Sequence, residues 1–255
     1  MRIDGNTEII AHIGYPTYAF RAPLIYNPWF AKVGINAIVV PMSCQLEAFP
    51  RFLRSVFHLG NIRGALITMP HKVTTVGLLD NVLPTAAIAG SCNAVRRLDD
   101  GRLQGNMFDG EGFVRGLKRK GFDPKGRRVL VVGAGGVGCA IAASLAAAGV
   151  LEMDLFDMND ASAKSLASRL LQHYPSMTIH TGSKDPAGYE LLVNATPLGM
   201  KDGDPLPVDM DRVDASTFVG EVVMKTDMTA FLKAAQAKGC RIQMGADMLY
   251  EQIPA

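Results

Sequence analysis

The segment Arg127–Gly138, RRVLVVGAGGVG, constrains the fold of this chain more than any other stretch. A β-branched run leads straight into Gly133, Gly135 and Gly138 in G-x-G-x-x-G spacing, with Gly136 between them, and mostly small residues continue through Cys139–Ala148. In a strand–turn–helix unit these glycines have separate tasks. Gly133 permits the tight turn, Gly135 lets the backbone approach a diphosphate, and Gly138 lets helix and strand pack closely. The first amides of the helix and its positive dipole end then hold the diphosphate. A second strand, Met153–Asp157, ends in an acid about 20 residues further on, the context that such a loop requires. Asp157 there accepts hydrogen bonds from both adenine-ribose hydroxyls and repels a 2′-phosphate. FDMNDAS places no arginine beside it, so NAD is favoured over NADP. The competing role for Asp157 is to cap the following turn, with Asp160 or Ser162 as the helix N-cap.

Short apolar runs alternate with segments of helical period along the chain, which predicts an α/β protein with mostly parallel strands. Strands are expected at Glu8–Gly14, Ala37–Pro41, Gly64–Met69, Val129–Gly133, Met153–Asp157, Glu190–Thr196, Phe218–Val223 and Arg241–Met244. Helices are expected at Pro23–Val33, Glu47–His58, Gly110–Lys120, Val137–Ala148, Ser162–Gln172 and Thr229–Lys238. The stretch GFDPKGRR at Gly121–Arg128 reads as the entry to a new folding unit, which gives two domains. A net charge of +2 without a run of like charges gives no support for nucleic-acid or membrane-surface binding, and a small-molecule partner is expected. Cys44, Cys92, Cys139 and Cys240 are scattered, without zinc-ligand spacing, and read as buried free thiols; no metal is expected. His12, His58, His71, His173 and His180 show no ligand or catalytic spacing. The N-terminus lacks the apolar core of a signal peptide and no stretch is long enough to span a bilayer, so a cytoplasmic address is expected. The sequence does not specify an oligomeric state.

Further segments, taken in order, resemble the shikimate dehydrogenase family. TMPHK at Thr68–Lys72 is similar to that family's T-x-P-x-K, and SCNAV at Ser91–Val95 to its V-N-T/A segment. GNMFDG at Gly105–Gly110 resembles G-x-N-T-D-G, NATPLGM at Asn194–Met200 matches N-A-T-P-x-G-M, and GADMLYEQ at Gly245–Gln252 is similar to G-x-x-M-L-x-x-Q. The resemblance implies a substrate domain formed by residues 1–109 with 239–255 and a Rossmann-type dinucleotide domain formed by 110–238, with substrate bound between them. It also implies that hydride passes between a nicotinamide and a ring carbon bearing a hydroxyl or ketone. Lys72 and Asp109 become the proton-handling pair, and Thr68, Asn93 and Gln252 the substrate contacts. Asn194, Thr196, Met200 and Gly245 line the nicotinamide region. Taken alone, Lys72 reads as a solvated helix-start residue and Asp109 as a helix cap.

The chain departs from the family where a substrate carboxylate is anchored. The family's S-x-S is here Phe20-Arg21-Ala22, between Pro16 and Pro23. Two hydroxyl donors are gone, so either Arg21 supplies a charged fork or the substrate lacks that carboxylate. Leu66 stands for the asparagine of N-V-T-x-P, Met107-Phe108 for N-T, Met224 for a tyrosine and Thr226 for a proline, while Thr229 is retained. Loss of donors argues for changed specificity more than for lost catalysis. The expected activity is oxidation or reduction of a cyclic hydroxy acid or polyol of shikimate type. The alternatives are a catalytically silent dinucleotide sensor and an enzyme like the methylene-tetrahydrofolate dehydrogenases. The last family motif ends three residues before Ala255, a shorter tail than the family's.

Overall fold

The computed structural model describes residues 3–18 and 20–253. The chain divides into two compact units, Met1–Met107 and Phe108–Ala255.

In the first unit the elements run β1 (Glu8–Gly14), α1 (Ala22–Val33), β2 (Ala37–Ser43), α2 (Phe49–Val56), β3 (Ile62–Ile67), α3 (Lys72–Val76), β4 (Asn81–Val82), α4 (Pro84–Ala89), β5 (Ala94–Arg97) and β6 (Leu103–Asn106). They build a six-stranded sheet of order β2-β1-β3-β5-β6-β4. Ala11, Ile13, Val39, Ala65 and Ile67 supply its buried apolar side chains. Helix α1 has proline in its first turn and stops at Gly34, whose φ of 73° is a conformation that glycine adopts without strain. It is pinned to β2 by Asn27, whose Oδ1 accepts from the Val39 amide at 2.7 Å and whose Nδ2 donates to the Val39 carbonyl at 3.1 Å. The strands are mostly parallel, as expected, with one exception in this sheet: β5 runs antiparallel to both β3 and β6. The segments AVRR and LQGN carry too few apolar residues to announce themselves, and their pairing is decided by the sheet they join.

The second unit contains α5 (Asp109–Arg119), β7 (Arg128–Val132), α6 (Gly136–Ala147), β8 (Glu152–Phe156), α7 (Asp160–His173), β9 (Thr178–Thr181), β10 (Leu191–Asn194), a 3₁₀ turn at Met210–Arg212, β11 (Phe218–Glu221), α8 (Ala230–Ala237), β12 (Arg241–Gln243) and α9 (Gly245–Glu251). Its six-stranded sheet is ordered β12-β11-β10-β7-β8-β9 with every pairing parallel. This is the doubly wound Rossmann order, in which ligands bind beyond the carboxyl ends of the strands. Leu130, Val132, Leu192, Val219, Phe231 and Leu232 form one core cluster against it, as a sheet covered on both faces requires.

The stretch 239–255, expected with the first domain, belongs to the second unit as far as its described residues run. Arg241–Gln243 pair with β11, and α9 packs on α5. Glycines make that packing possible. A Cβ at Gly112 would stand 2.4 Å from the Met248 carbonyl oxygen, and one at Gly110 2.0 Å from the Ala140 carbonyl oxygen on α6. Asp247 completes the junction, receiving Arg119 at 3.0 Å, Lys120 at 3.1 Å and the Met244 amide at 3.0 Å. Arg119 also reaches Glu251 at 2.7 Å.

Candidate active site and cofactor loop

Between β7 and α6 the chain turns at Gly133, whose φ is 107°. A Cβ there would lie 2.7 Å from the Ala195 carbonyl, and one at Gly138 2.0 Å from the Gly133 carbonyl oxygen. These two glycines are therefore steric requirements. Gly135 and Gly136 differ: a Cβ on either would meet nothing within 4 Å, and both are exposed at the start of α6. The start of a 12-residue helix thus has open space beside it, the room that a diphosphate on its first amides requires. Asp157, directly after β8, ties to this loop. Its Oδ2 accepts from the Ala134 amide at 2.7 Å and its Oδ1 from the Asn159 amide at 2.8 Å. The turn-capping role expected from sequence is met, by a carboxylate that directly follows β8. The N-cap of α7 is Asn159, in place of the expected Asp160 or Ser162.

At the carboxyl ends of β10 and β11 lies a buried polar network. Asn194, fully buried, accepts through Oδ1 from the Thr196 amide at 3.1 Å and hydroxyl at 2.6 Å, and donates from Nδ2 to the Leu198 carbonyl at 3.0 Å. Thr196 Oγ1 in turn accepts from the Leu198 amide at 3.1 Å, so the loop that follows β10 is held by its own side chains. Met200, after Gly199, is exposed. Beside this loop the Thr229 hydroxyl donates to the Glu221 carboxylate at 2.9 and 3.0 Å while accepting from Leu232 to cap α8. Burial pushes the Glu221 carboxyl up to about 7, against the pull of its Thr229 and Asn194 hydrogen bonds. Glu221 was not foreseen as a functional residue. Its signal was an acid ending an apolar strand on the ligand edge of the sheet. Gly245 opens α9 where a Cβ would lie 2.2 Å from the Val223 carbonyl oxygen, which makes it a packing requirement first.

In the first unit, β1, β3, β5 and β6 bring Gly14, Thr68, Asn93 and Asn106 to one edge of the sheet. Thr68 N donates to the Ile13 carbonyl at 3.0 Å, Ile67 N to the Asn93 carbonyl at 2.8 Å and Asn93 N to the Asn106 carbonyl at 3.1 Å. Lys72 begins α3 at this edge, half-buried, and its carbonyl accepts from the Cys92 amide at 2.9 Å. Lys72 takes the helix-start position expected of it alone, but half-buried and not solvated. His71 is structural: fully buried, stacked 3.9 Å from Phe49 and hydrogen-bonded by Nε2 to the Cys44 carbonyl at 2.8 Å. Phe20 lies half-buried against Gly14 and His12, whereas Arg21 is exposed at the N-cap of α1. Cys92 is buried, and desolvation raises its thiol to about 11, so it stays protonated despite the charge of Lys72.

Asp109 and Gln252 belong to the second unit. Asp109 is the first residue of α5, behind the N-cap Phe108, and only 7% exposed. A carboxylate in the first helical turn is favoured by the dipole. Gln252 caps the end of α9, its Cβ against the bare face of Gly112. Two shallow surface concavities, one lined by Lys164, Ser168, Gln172 and Thr181 and the other by Arg63, Arg97 and Asp99, contain none of these residues. Among the described residues no cluster of His, Cys, Asp or Glu could hold a metal ion, and no helix is long and apolar enough to cross a membrane.

Residues 13–95 match the model of the shikimate dehydrogenase substrate binding domain, and residues 125–176 match the ThiF family. The chain is 34% identical over 258 residues to the shikimate dehydrogenase (NADP(+)) of Rubrobacter xylanophilus, covering 98% of this chain and 89% of that protein. It belongs to the shikimate dehydrogenase family. Among solved structures of similar fold is the shikimate 5-dehydrogenase of Listeria monocytogenes in complex with shikimate and NAD, with a TM-score of 0.91 and 30% identity, covering 99% of this chain and 91% of that one. The 5-ketofructose reductase of Gluconobacter matches at a TM-score of 0.86 and 25% identity, covering 98% of this chain and 91% of that one.

Proposed function

We propose that this protein is a nicotinamide-dependent oxidoreductase that interconverts a ring alcohol and its ketone, on a cyclic hydroxy acid or polyol of shikimate type. Family membership supports the reaction class. The observation that carries the cofactor assignment is the open N-terminus of α6 at Gly135 and Gly136, braced by the hydrogen bond from Ala134 to Asp157. The bound nicotinamide supplies the hydride acceptor or donor. Gly133, Gly135, Gly136 and Gly138 hold its diphosphate, and Asn194, Thr196, Met200 and Gly245 form the nicotinamide end.

NAD is the preferred form in this reading. A carboxylate fixed by two backbone amides cannot swing away from a 2′-phosphate, so Asp157 disfavours NADP by charge repulsion. The NADP(+) in the relatives' names makes this a sharp point of test. Removing hydride from an alcohol leaves a hydroxyl proton. The Lys72 amine takes it up in oxidation and returns it in reduction, and the Asp109 carboxylate orients the lysine for that transfer. Thr68, Asn93 and Gln252 orient the ring. The 5-ketofructose reductase shows that the fold also serves a ketose.

Initial rates of nicotinamide reduction with shikimate, quinate and carboxyl-free ring polyols, each with NAD and NADP, test the assignment. Turnover of at least one ring alcohol, with higher kcat/KM for NAD, is expected. Cofactor binding without turnover of any of them would leave a dinucleotide sensor.

A further inference from the structure

His12, Phe20 and Thr68 meet at the carboxyl end of β1 in the first unit. The His12 and Phe20 rings lie 4.1 Å apart between centres, tilted by 33°. A Cβ on Gly14 would stand 2.8 Å from Phe20 Cζ and 2.4 Å from the Thr68 methyl, so the bare glycine is what lets the phenyl ring settle there. His12 is 7% exposed, yet its Nδ1 has no hydrogen-bond partner in the protein. Buried polar nitrogens are almost always paired, so this one calls for a partner; unlike the equally unpaired Nδ1 of His71, whose ring is held by Phe49 and the Cys44 carbonyl, it stands beside the half-buried Phe20. Burial, and then the charge of Lys72, depress the imidazole to about 4, which keeps it neutral in cellular conditions. A neutral imidazole is one donor and one acceptor, as a hydroxyl is, and a half-turn about Cβ–Cγ presents either nitrogen. It offers nothing that holds a carboxylate. Arg21, the nearest cation in sequence to Phe20, is exposed. The remaining cation of this edge, Lys72, is committed to the reacting ring carbon in the reading above.

We propose that His12 and Phe20 are the specificity-determining residues at this end of the sheet: together they present an uncharged aromatic wall that selects a ring polyol or its ketone without a carboxylate, and the His12 imidazole hydrogen-bonds one of its hydroxyls. This rests on the oxidoreductase reading for the reaction, but binding preference is measurable without turnover. Phe20 excludes the charged group by desolvation, since a carboxylate set against a phenyl ring loses its water and gains no donor. His12 rewards the hydroxyl, since an analogue lacking it leaves the buried nitrogen unpaired.

The test is calorimetric titration of the NAD-loaded protein with a panel of carboxyl-free ring polyols and ring ketones and, in parallel, with shikimate and quinate, while nicotinamide absorbance is followed on the same ligands. The wild-type protein is expected to bind at least one polyol or ketone about tenfold or more tightly than either acid. His12→Leu is expected to abolish that preference and His12→Asn, which keeps a donor and an acceptor, to restore part of it. Phe20→Ser combined with Ala22→Ser is expected to shift the preference toward the acids, with NAD affinity unchanged as the check on folding. Tighter binding of an acid by the wild type, a preference indifferent to His12→Leu, or no binding of either class would overturn the proposal. A polyol bound tightly but never oxidised leaves the specificity standing and defeats the oxidoreductase reading. Efficient oxidation of the acids alone does the reverse.

Discussion

Glu221→Gln isolates the cost of a buried carboxyl behind the loop that follows β10. Glu221 is fully buried and its direct donors are the Thr229 hydroxyl and the Asn194 amide. Its carboxyl is raised from 4.5 to about 7 in the folded protein, so the folded state binds the proton more tightly than the unfolded chain. Between those values folding takes up a proton, and stability falls as pH rises. The penalty is absent below the lower value and complete above the upper one. At about 1.4 kcal/mol per pH unit the upper limit is about 3 kcal/mol, and relaxation of the surrounding protein around the charge brings it to about 2 kcal/mol. Glutamine keeps the shape and the acceptor for Thr229 but cannot ionise. Urea unfolding at pH 4.5 and pH 8.5 is the assay: the variant should match the wild type at the lower pH and exceed it by about 2 kcal/mol at the higher. Equal pH dependence in the two proteins would refute the reasoning, because it would mean that Glu221 carries no folding-linked proton.

Asp157→Ala removes the acceptor for the Ala134 and Asn159 amides together with the charge that repels a 2′-phosphate; the ratio of kcat/KM for NAD over NADP should fall by about tenfold or more, and an unchanged ratio sinks the repulsion argument. Gly138→Ala places a methyl 2.0 Å from the Gly133 carbonyl oxygen, so thermal unfolding should show a loss of about 1–3 kcal/mol and dinucleotide affinity should drop, whereas Gly135→Ala, with open space around it, should leave stability nearly unchanged. Asp247→Ala strips three partners from a nearly buried carboxylate at the junction of α5 and α9 and should cost about 2 kcal/mol in denaturant unfolding, discounted for the exposure of Arg119; removing the exposed Arg212–Asp185 pair should change little.

Most of the second unit could be read from sequence because its central strands are buried on both faces and announce themselves as apolar runs. β7, β8, β10 and β11 fall within a few residues of their expected places, and β1 at its expected bounds. Elements that draw their structure from neighbours did not show. β5 and β6 are polar edge-like segments, α3 is one turn long, and α9 is held by Asp247 to basic groups more than 100 residues away in sequence. Arg241–Gln243, expected with the first domain, pairs with β11 instead, since a three-residue strand takes its sheet from hydrogen bonds that no local pattern encodes. In the candidate site the glycine loop was legible because Gly133 and Gly138 answer local steric demands while Gly135 and Gly136 leave the helix start open. His12 was passed over as one of five histidines without ligand spacing, and only its unpaired nitrogen beside Phe20 marks it. Glu221 was hidden by reading β11 through to Val223, which put the acid inside a strand instead of at its ligand-facing end.

In the proposed reaction Lys72 handles the proton released in hydride transfer and Asp109 orients the lysine. Steady-state turnover and NAD affinity of Lys72→Ala, Asp109→Asn and the double variant test it directly. The account predicts that kcat falls by about 10²-fold or more in each single variant, that the double variant is little worse than either, and that NAD affinity is retained. Unchanged kcat in Lys72→Ala on any ring alcohol the wild type oxidises would contradict it.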